Sequence, residues 1–313
     1  MTAFTARIAE IRTEASGVKS FVLQRDSGAD FPEWQPGAHI DVVLAPGLSR
    51  QYSLCGDPAD RQMLNFAVLR EPASRGGSER LHDAVAPGDT LTIEAIRNNF
   101  PLVAAEETLL IAGGIGITPL LTMAEALDRQ GKRWRMLYGG RTGGSMAYLE
   151  RLARHGENVA VRPEDAHGLL DLAGFIGAYR PGKVVYCCGP EPLIKAVEAW
   201  CASWPEDALQ IERFRPKEQA PGIIDSAFEV ELKRKGIVVA VPADQTIADA
   251  LEAVGVHIPR SCNEGTCGTC VTKLLDGEPD HRDSFLRPKQ RAEGKRIMVC
   301  CSRALSPRLV LDV

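Results

Sequence analysis

Three cysteines packed into nine residues, Cys262-Asn263-Glu264-Gly265-Thr266-Cys267-Gly268-Thr269-Cys270, constrain this chain more than any other feature. A fourth follows after a long gap in Met298-Val299-Cys300. Cys-x4-Cys-x2-Cys with a distant fourth thiol is the ligand spacing of a plant-type [2Fe–2S] centre. Two irons share two sulfides, so four thiolates must converge on a small rhomb. A tight loop supplies Cys262, Cys267 and Cys270, and a separate strand supplies the last. Gly265 and Gly268 let the loop turn closely, because glycine reaches positive φ. Small Thr266 and Thr269 leave room for N–H groups to point at sulfur. Structural zinc prefers paired short-spaced ligands, and a disulfide framework suits small secreted chains. Cys301 competes with Cys300 for the fourth place. In an alternating strand only one of them faces the centre, and Cys300 is the choice.

The chain has 313 residues, which allows two or three domains. Its net charge of −4 announces no nucleic-acid surface. No apolar run reaches ~18 residues, so no membrane-spanning helix is expected. The start, Met1 to Arg7, lacks an apolar signal core. Nine cysteines without such a signal point to a reducing, cytoplasmic setting. Cys55, Cys187, Cys188 and Cys201 read as small hydrophobes.

Residues 1 to about 100 read as β. Phe21-Val22-Leu23, His39 to Leu44 and Leu64 to Leu69 are short apolar runs broken by Pro32, Pro36-Gly37 and Pro46-Gly47. Many short strands with such punctuation suggest a small barrel. In Arg50-Gln51-Tyr52-Ser53-Leu54, alternation puts Arg50, Tyr52 and Leu54 on one side. A cation and an aromatic on one face can hold a phosphate and a flat ring. Arg75-Gly76-Gly77-Ser78 precedes a helical stretch, Ser78 to Val85, and can cradle a phosphate. It also reads as an ordinary turn with a Ser N-cap.

From about 101 the pattern alternates strand and helix. Strands are expected at Leu109–Ala112, Arg135–Tyr138, Val159–Val161, Val184–Cys188 and Leu209–Ile211. This predicts an open parallel sheet, with ligands at the carboxyl ends of its strands. Two glycine turns fall there: Gly113-Gly114-Ile115-Gly116-Ile117-Thr118-Pro119, and Cys188-Gly189-Pro190 before a helix Glu191 to Trp200. Thr118 is expected to cap a helix Leu120 to Gln130, with Pro119 its first residue. Arg141 offers a cation for an extra nucleotide phosphate, but Glu164 and Asp165 would repel one, which favours a dinucleotide without it. Phe214 reads as a core or linker aromatic, and equally, by resemblance to the ferredoxin–NADP reductase superfamily, as a ring that stacks near a flavin.

Arg215 to Ser226 reads as a linker. Phe228–Leu232 and Ile237–Val241 form a hairpin about Lys235-Gly236. Thr246 caps a helix with Ile247, Ala250, Leu251 and Val254 on one face. Arg282 to Arg296 carries six cations against Asp283 and Glu293. The run reads first as a solvated face, and second as a landing for an acidic partner.

The Arg-x-Tyr-Ser and Gly-Gly-x-Gly-x-Thr-Pro motifs resemble those of the ferredoxin–NADP reductase superfamily. The resemblance implies Arg50 on the flavin phosphate, Tyr52 and Ser53 at the ring, and Gly76, Gly77 and Ser78 on the phosphate. Gln51 is counted with this stretch. It implies NAD(P)H at Gly113, Gly114, Gly116, Thr118, Cys188, Gly189 and Pro190, with Ser53 and Thr118 positioning flavin and nicotinamide. The domain order, with Gly277-Glu278-Pro279-Asp280-His281-Arg282-Asp283 and Met298 to Ala304, resembles the phthalate dioxygenase reductase family over essentially the whole chain. Cys301 departs from the simplest ligand pattern. That family implies FMN, NADH, a [2Fe–2S] cluster and a Rieske-type terminal oxygenase acting on aromatic acids. The expected architecture is multidomain: an antiparallel β-barrel flavin domain (1–100), a parallel α/β nucleotide domain (101–222) and a C-terminal β-grasp ferredoxin domain (228–313). Other readings are donation to a cytochrome P450, a redox-sensing protein, or a zinc-stabilised interaction module.

Overall fold

The computed structural model describes residues 3–216 and 225–313. The chain forms two compact units, Met1–Arg213 and Phe214–Val313. Most of the expected linker, 217–224, lies outside the described residues.

The first unit holds two sheets. One is antiparallel, with order β4-β3-β6-β1-β2-β5, built from β1 (Phe4–Ala15), β2 (Val18–Gln24), β3 (His39–Ala45), β4 (Leu48–Ser53), β5 (Met63–Leu69) and β6 (Thr90–Arg97). A bridge from Leu54 to Phe66 joins its two ends, as a barrel requires. Alternation sends Ile8, Phe21, Leu23, Ile40, Leu64 and Phe66 inward, where all are fully buried. Each such side chain contributes about 1.5–3 kcal/mol. Helix α1 (Gly77–Asp83) starts one residue before the expected Ser78 and ends two before Val85.

The other sheet is wholly parallel, with order β11-β10-β7-β8-β9: β7 (Glu107–Gly113), β8 (Arg133–Gly140), β9 (Val159–Pro163), β10 (Lys183–Cys188) and β11 (Leu209–Glu212). Helices α2 (Ile117–Arg129), α3 (Leu149–Leu152), α4 (Glu164–His167), α5 (Leu172–Ile176) and α6 (Glu191–Trp200) connect its strands. β7 and β10 are buried along their whole length, which explains their unbroken apolar runs. The expected cap at Thr118 is corrected. Gly116 is the N-cap of α2 and Thr118 is its second residue. A 3-10 turn, Gly114–Gly116, carries the chain directly into the helix, so it begins earlier than the proline signal implied.

The second unit has a mixed sheet of order β13-β12-β18-β14-β16: β12 (Phe228–Leu232), β13 (Ile237–Val241), β14 (Val271–Asp276), β16 (Arg296–Met298) and β18 (Arg308–Leu311). A two-stranded ladder of β15 (Pro279–Asp280) and β17 (Arg303–Ala304) lies beside it. The β12–β13 hairpin turns through Gly236 at φ +66°. Helix α7 (Ile247–Ala253) buries Ile247, Ala250 and Leu251 in the core of this unit. Val254 does not join them. It follows the last helical residue and is 51% exposed. Short helix α8 is Pro288–Ala292.

Thr246 accepts the Asp249 N–H at 3.1 Å as the N-cap of α7. Thr246→Ala should cost about 1 kcal/mol. Native-state hydrogen exchange of the α7 amides should then quicken roughly fivefold, and an unchanged rate would remove the cap from the account.

Candidate active site and cluster loop

On β4 the two faces separate as alternation requires. Gln51 turns to Asp41, donating Nε2–H to Oδ1 at 3.0 Å. That carboxylate is fully buried and also pairs with Arg97. Gln51 is therefore engaged with Asp41 on the face opposite Tyr52 and Ile40, away from the barrel core. Arg50 donates to the carbonyls of Ser49 (2.9 Å) and Arg75 (3.1 Å). Its stem lies over Gly77, where a Cβ would come 2.8 Å from Arg50 Cγ. The guanidinium is thus fixed beside the start of α1, whose first-turn N–H groups have no partner within the helix. Gly76 opens that helix at φ +88°. Ser78 Oγ is occupied locally, by Ser74 and the Glu71 N–H. Tyr52 stacks obliquely on Phe66 with centroids 5.2 Å apart. Its phenol is mostly buried, which raises its pKa. A cation, helix N–H groups and a ring edge so arranged fit a flavin phosphate and ring.

Ser53, at the end of β4, is buried and hydrogen-bonds the Glu212 carboxyl. Glu212 ends β11 and stands in register with Cys188 at the end of β10. Burial of the carboxyl tip pushes the Glu212 pKa up to about 8, against the lowering effect of Ser53. Burial and then Glu212 raise the Cys188 thiol well above its usual value. Glu212 is not among the residues that the sequence singles out. The signal that finds it is its position on the strand next to Cys188, an ionisable side chain at the carboxyl end of a parallel sheet.

The two glycine turns pack on each other. A Cβ on Gly113 would come 2.6 Å from Pro190, and one on Gly189 3.0 Å from Gly113. A Cβ on Gly116 would overlap the Cys188 carbonyl. These glycines permit contact between neighbouring strand ends. Gly114 differs: it has φ +54° with open space around it, which leaves backbone free for a ligand to approach. Thr118 is 2% exposed and its hydroxyl bonds the Ile115 carbonyl at 3.0 Å, so it braces the turn from within. Pro190 precedes α6, whose Glu191 pairs with Arg213 at 2.9 Å. Arg141 and the acidic start of α4 are adjacent, with the Asp165 N–H bonded to the Arg141 carbonyl at 3.2 Å. Phe214 is 40% exposed and opens the second unit.

In the second unit Cys262, Cys267, Cys270 and Cys300 are each at most 5% exposed. The thiol of Cys262 interacts with those of Cys267 and Cys300, and Cys270 interacts with Cys300. A loop and a distant segment thus bring four soft donors together, the set an iron–sulfur cluster takes. Glu264 N–H points at Cys262 Sγ (3.3 Å), and Thr269 Oγ lies 3.2 Å from Cys267 Sγ. Gly265 and Gly268 sit at φ +73° and +76°, and neither has room for a side chain. The expected alternating strand at Cys300-Cys301 is corrected. β16 ends at Met298, and both cysteines lie in the following turn, with Cys301 and Ser302 N–H groups bonded to the Met298 carbonyl. The turn still buries Cys300 and leaves Cys301 partly exposed, with its sulfur beside Gly265.

Comparisons with known proteins decide the lineage. A model of the 2Fe-2S iron-sulfur cluster binding domain matches residues 230–305, and one of the oxidoreductase NAD-binding domain matches 110–199. Phenoxybenzoate dioxygenase subunit beta of Ectopseudomonas oleovorans is 40% identical, over 100% of this chain and 98% of its own. The solved phthalate dioxygenase reductase, a modular structure for electron transfer from pyridine nucleotides to [2Fe-2S], is 35% identical. It superposes with a TM-score of 0.73 over 99% of this chain and 98% of its own. The chain belongs to the phthalate dioxygenase reductase family. An intact type IV self-sufficient cytochrome P450 monooxygenase contains a similar region, 42% identical with a TM-score of 0.90, covering 99% of this chain and 41% of that one. Membership makes this chain an NADH-dependent flavin iron–sulfur oxidoreductase, with FMN and a [2Fe–2S] cluster as its cofactors.

Glu212 yields a pH test. Below about 8 its carboxyl is neutral; above, it adds a negative charge beside Ser53 and Cys188. With a flavin ring held at Ser53, that charge would oppose delivery of further negative charge to it. Stopped-flow reduction by NADH should therefore slow as pH rises through about 8. Glu212→Gln, which cannot ionise, should flatten the profile, and a variant that keeps the wild-type inflection would exclude Glu212.

Proposed function

We propose that this chain is the reductase component of an oxygenase system, carrying electrons from NADH through FMN and the cluster to a Rieske-type oxygenase of aromatic acids. Four buried, converging thiols joined in one chain to a flavin-and-nucleotide unit carry the reading. NADH delivers two electrons together, a cluster accepts one at a time, and a flavin handles both. Plant-type clusters lie near about −400 mV and Rieske centres at about −150 mV or above, so the last transfer runs downhill.

In this reading Arg50, Gly76, Gly77 and Ser78 hold the flavin phosphate, and Tyr52 and Ser53 orient its ring. Gly113, Gly114, Gly116, Cys188, Gly189 and Pro190 shape the nicotinamide side, with Thr118 bracing that turn. The barrel, nucleotide and ferredoxin parts divide near 100 and 222. A cytoplasmic setting agrees with the free thiols of Cys55, Cys187, Cys188 and Cys201. Among the described residues no helix is long and apolar enough to cross a membrane. An acidic partner surface would meet the exposed side of the basic run. Arg282 and Arg291 are removed from that role, since they pair with Asp225, Asp280 and Asp283. Lys289, Lys295 and Arg296 remain exposed.

The likeness to the self-sufficient P450 favours a second reading, donation to a P450 haem. Reconstitution decides: a Rieske oxygenase should turn over with NADH and this chain, and a P450 alone should not. Repeated reduction of cytochrome c would separate either enzyme from a sensor, which stops after one reduction. Cys300→Ser should abolish the reddish iron–sulfur absorbance while Cys301→Ser keeps it. The reverse result would move the fourth ligand to Cys301, and a colourless zinc protein would overturn the cluster reading.

A further inference from the structure

The stretch from Gly277 to Asp283 ends in one of the most buried charges of the second unit. Asp283 is 1% exposed. Its Oδ2 accepts the N–H groups of Phe285 (3.1 Å) and Leu286 (2.7 Å) and the Arg291 guanidinium (3.3 Å). Arg291 also donates to the carbonyls of Asp283 and Leu286. Oδ1 has no hydrogen-bond partner, and the His281 Nδ1 stands 3.7 Å from it, too far for one. Both His281 ring nitrogens and Ser284 Oγ are likewise buried without partners.

This turn touches both halves of the cysteine set. The Ser284 N–H bonds the Gly265 carbonyl at 3.0 Å. A Cβ on Gly265 would come 2.9 Å from Asp283 Cα, and one on Gly268 would overlap the Phe285 ring. On the other side, the Arg282 N–H reaches Ser302 Oγ at 3.2 Å, two residues beyond Cys300. Residues 282–286 therefore span from the three-cysteine loop to the turn bearing the fourth ligand. Burial raises the Asp283 pKa, but His281, the Leu286 N–H and Arg291 outweigh it and hold the carboxyl below its ordinary value. A charge is thus kept where apolar packing would be expected.

We propose that Asp283 is a positioning residue for the cluster: it locks residues 282–286 across the two cysteine segments, and its charge, balanced by Arg291, sets the reduction potential. The inference rests on the reading of Cys262, Cys267, Cys270 and Cys300 as cluster ligands. A negative charge nearby disfavours adding an electron, and a positive one favours it. The two members of the pair therefore act in opposite directions.

The test uses the full-length holoprotein, with dye-equilibrated redox titration and EPR of the reduced cluster. Asp283→Asn keeps an acceptor for the two N–H groups but removes the charge. It should favour the reduced form about tenfold, which is about 59 mV upward for one electron. Arg291→Gln should move the potential downward. Asp283→Ala should also speed chelator-driven cluster loss about tenfold over wild type, with Asp283→Asn in between. Potentials that stay at the wild-type value in both charge variants, or that shift with the same sign, would overturn the proposal. If Asp283→Ala fails to load, the Asn and Gln variants decide. A wild-type protein without iron or visible iron–sulfur absorbance would instead refute the ligand reading on which the inference stands.

Discussion

Everything in the second unit answers one requirement: four thiols from two stretches of chain must meet within a few ångströms. A loop that delivers three ligands in nine residues cannot use ordinary backbone throughout. It takes positive φ at Asn263, Gly265 and Gly268. Two of these positions are also closed to side chains, by Asp283 and Cys301 at Gly265 and by Phe285 at Gly268. Glycine is needed there twice over, for the dihedral and for the space. The fourth thiol arrives from the opposite direction, in the turn after β16, which pairs with β14, the strand leaving the loop. The sheet thereby fixes the separation between the two ligand segments, and the thiols follow the backbone.

The first unit meets a different requirement. Hydride chemistry needs a flavin ring and a nicotinamide face to face with water kept out. The fold brings the end of a barrel strand and the ends of two parallel strands to one place. Ser53, Cys188 and Glu212 come from β4, β10 and β11, and Ser53 and Glu212 are hydrogen-bonded. Glycines at 113, 116 and 189 let the adjoining turns approach without side chains between them. The result is a small buried patch with one ionisable group whose charge depends on pH.

Much of this was legible beforehand. The cysteine spacing named the metal chemistry, and the unbroken runs of β7 and β10 named the parallel sheet. The hairpin about Gly236 and the cap at Thr246 stand where their signals put them. The misreadings share a cause: local signals lost to tertiary context. Thr118-Pro119 looks like a helix start, but the preceding 3-10 turn had already begun it. Val-Cys-Cys looks like strand, but the chain must turn there to present one thiol. Gln51 was counted with its motif, and the sequence does not tell that its neighbour across the ladder is a buried aspartate. Glu212 was invisible because nothing in Ile211-Glu212-Arg213 tells that its carboxyl tip is buried.

The basic run shows how far a charge count can mislead. From the sequence, Arg282 to Arg296 is a patch of like charge facing solvent. In the fold, Arg282 is divided between Asp225 and Asp280, and Arg291 is turned inward on Asp283 and two carbonyls. Desolvating a guanidinium is costly unless its hydrogen bonds are met by fixed acceptors. Here carboxylates and carbonyls meet them, and those that hold Arg291 lie on the segment that touches the cysteine loop. Only the residues left outward, Lys289, Lys295 and Arg296 among them, add to the field that a partner would meet. The run therefore divides into inward cations that fix the cluster loop and outward ones that face solvent. A charge reversal at Arg291 would change the loop before it changed any docking, so it cannot serve as a probe of the partner surface.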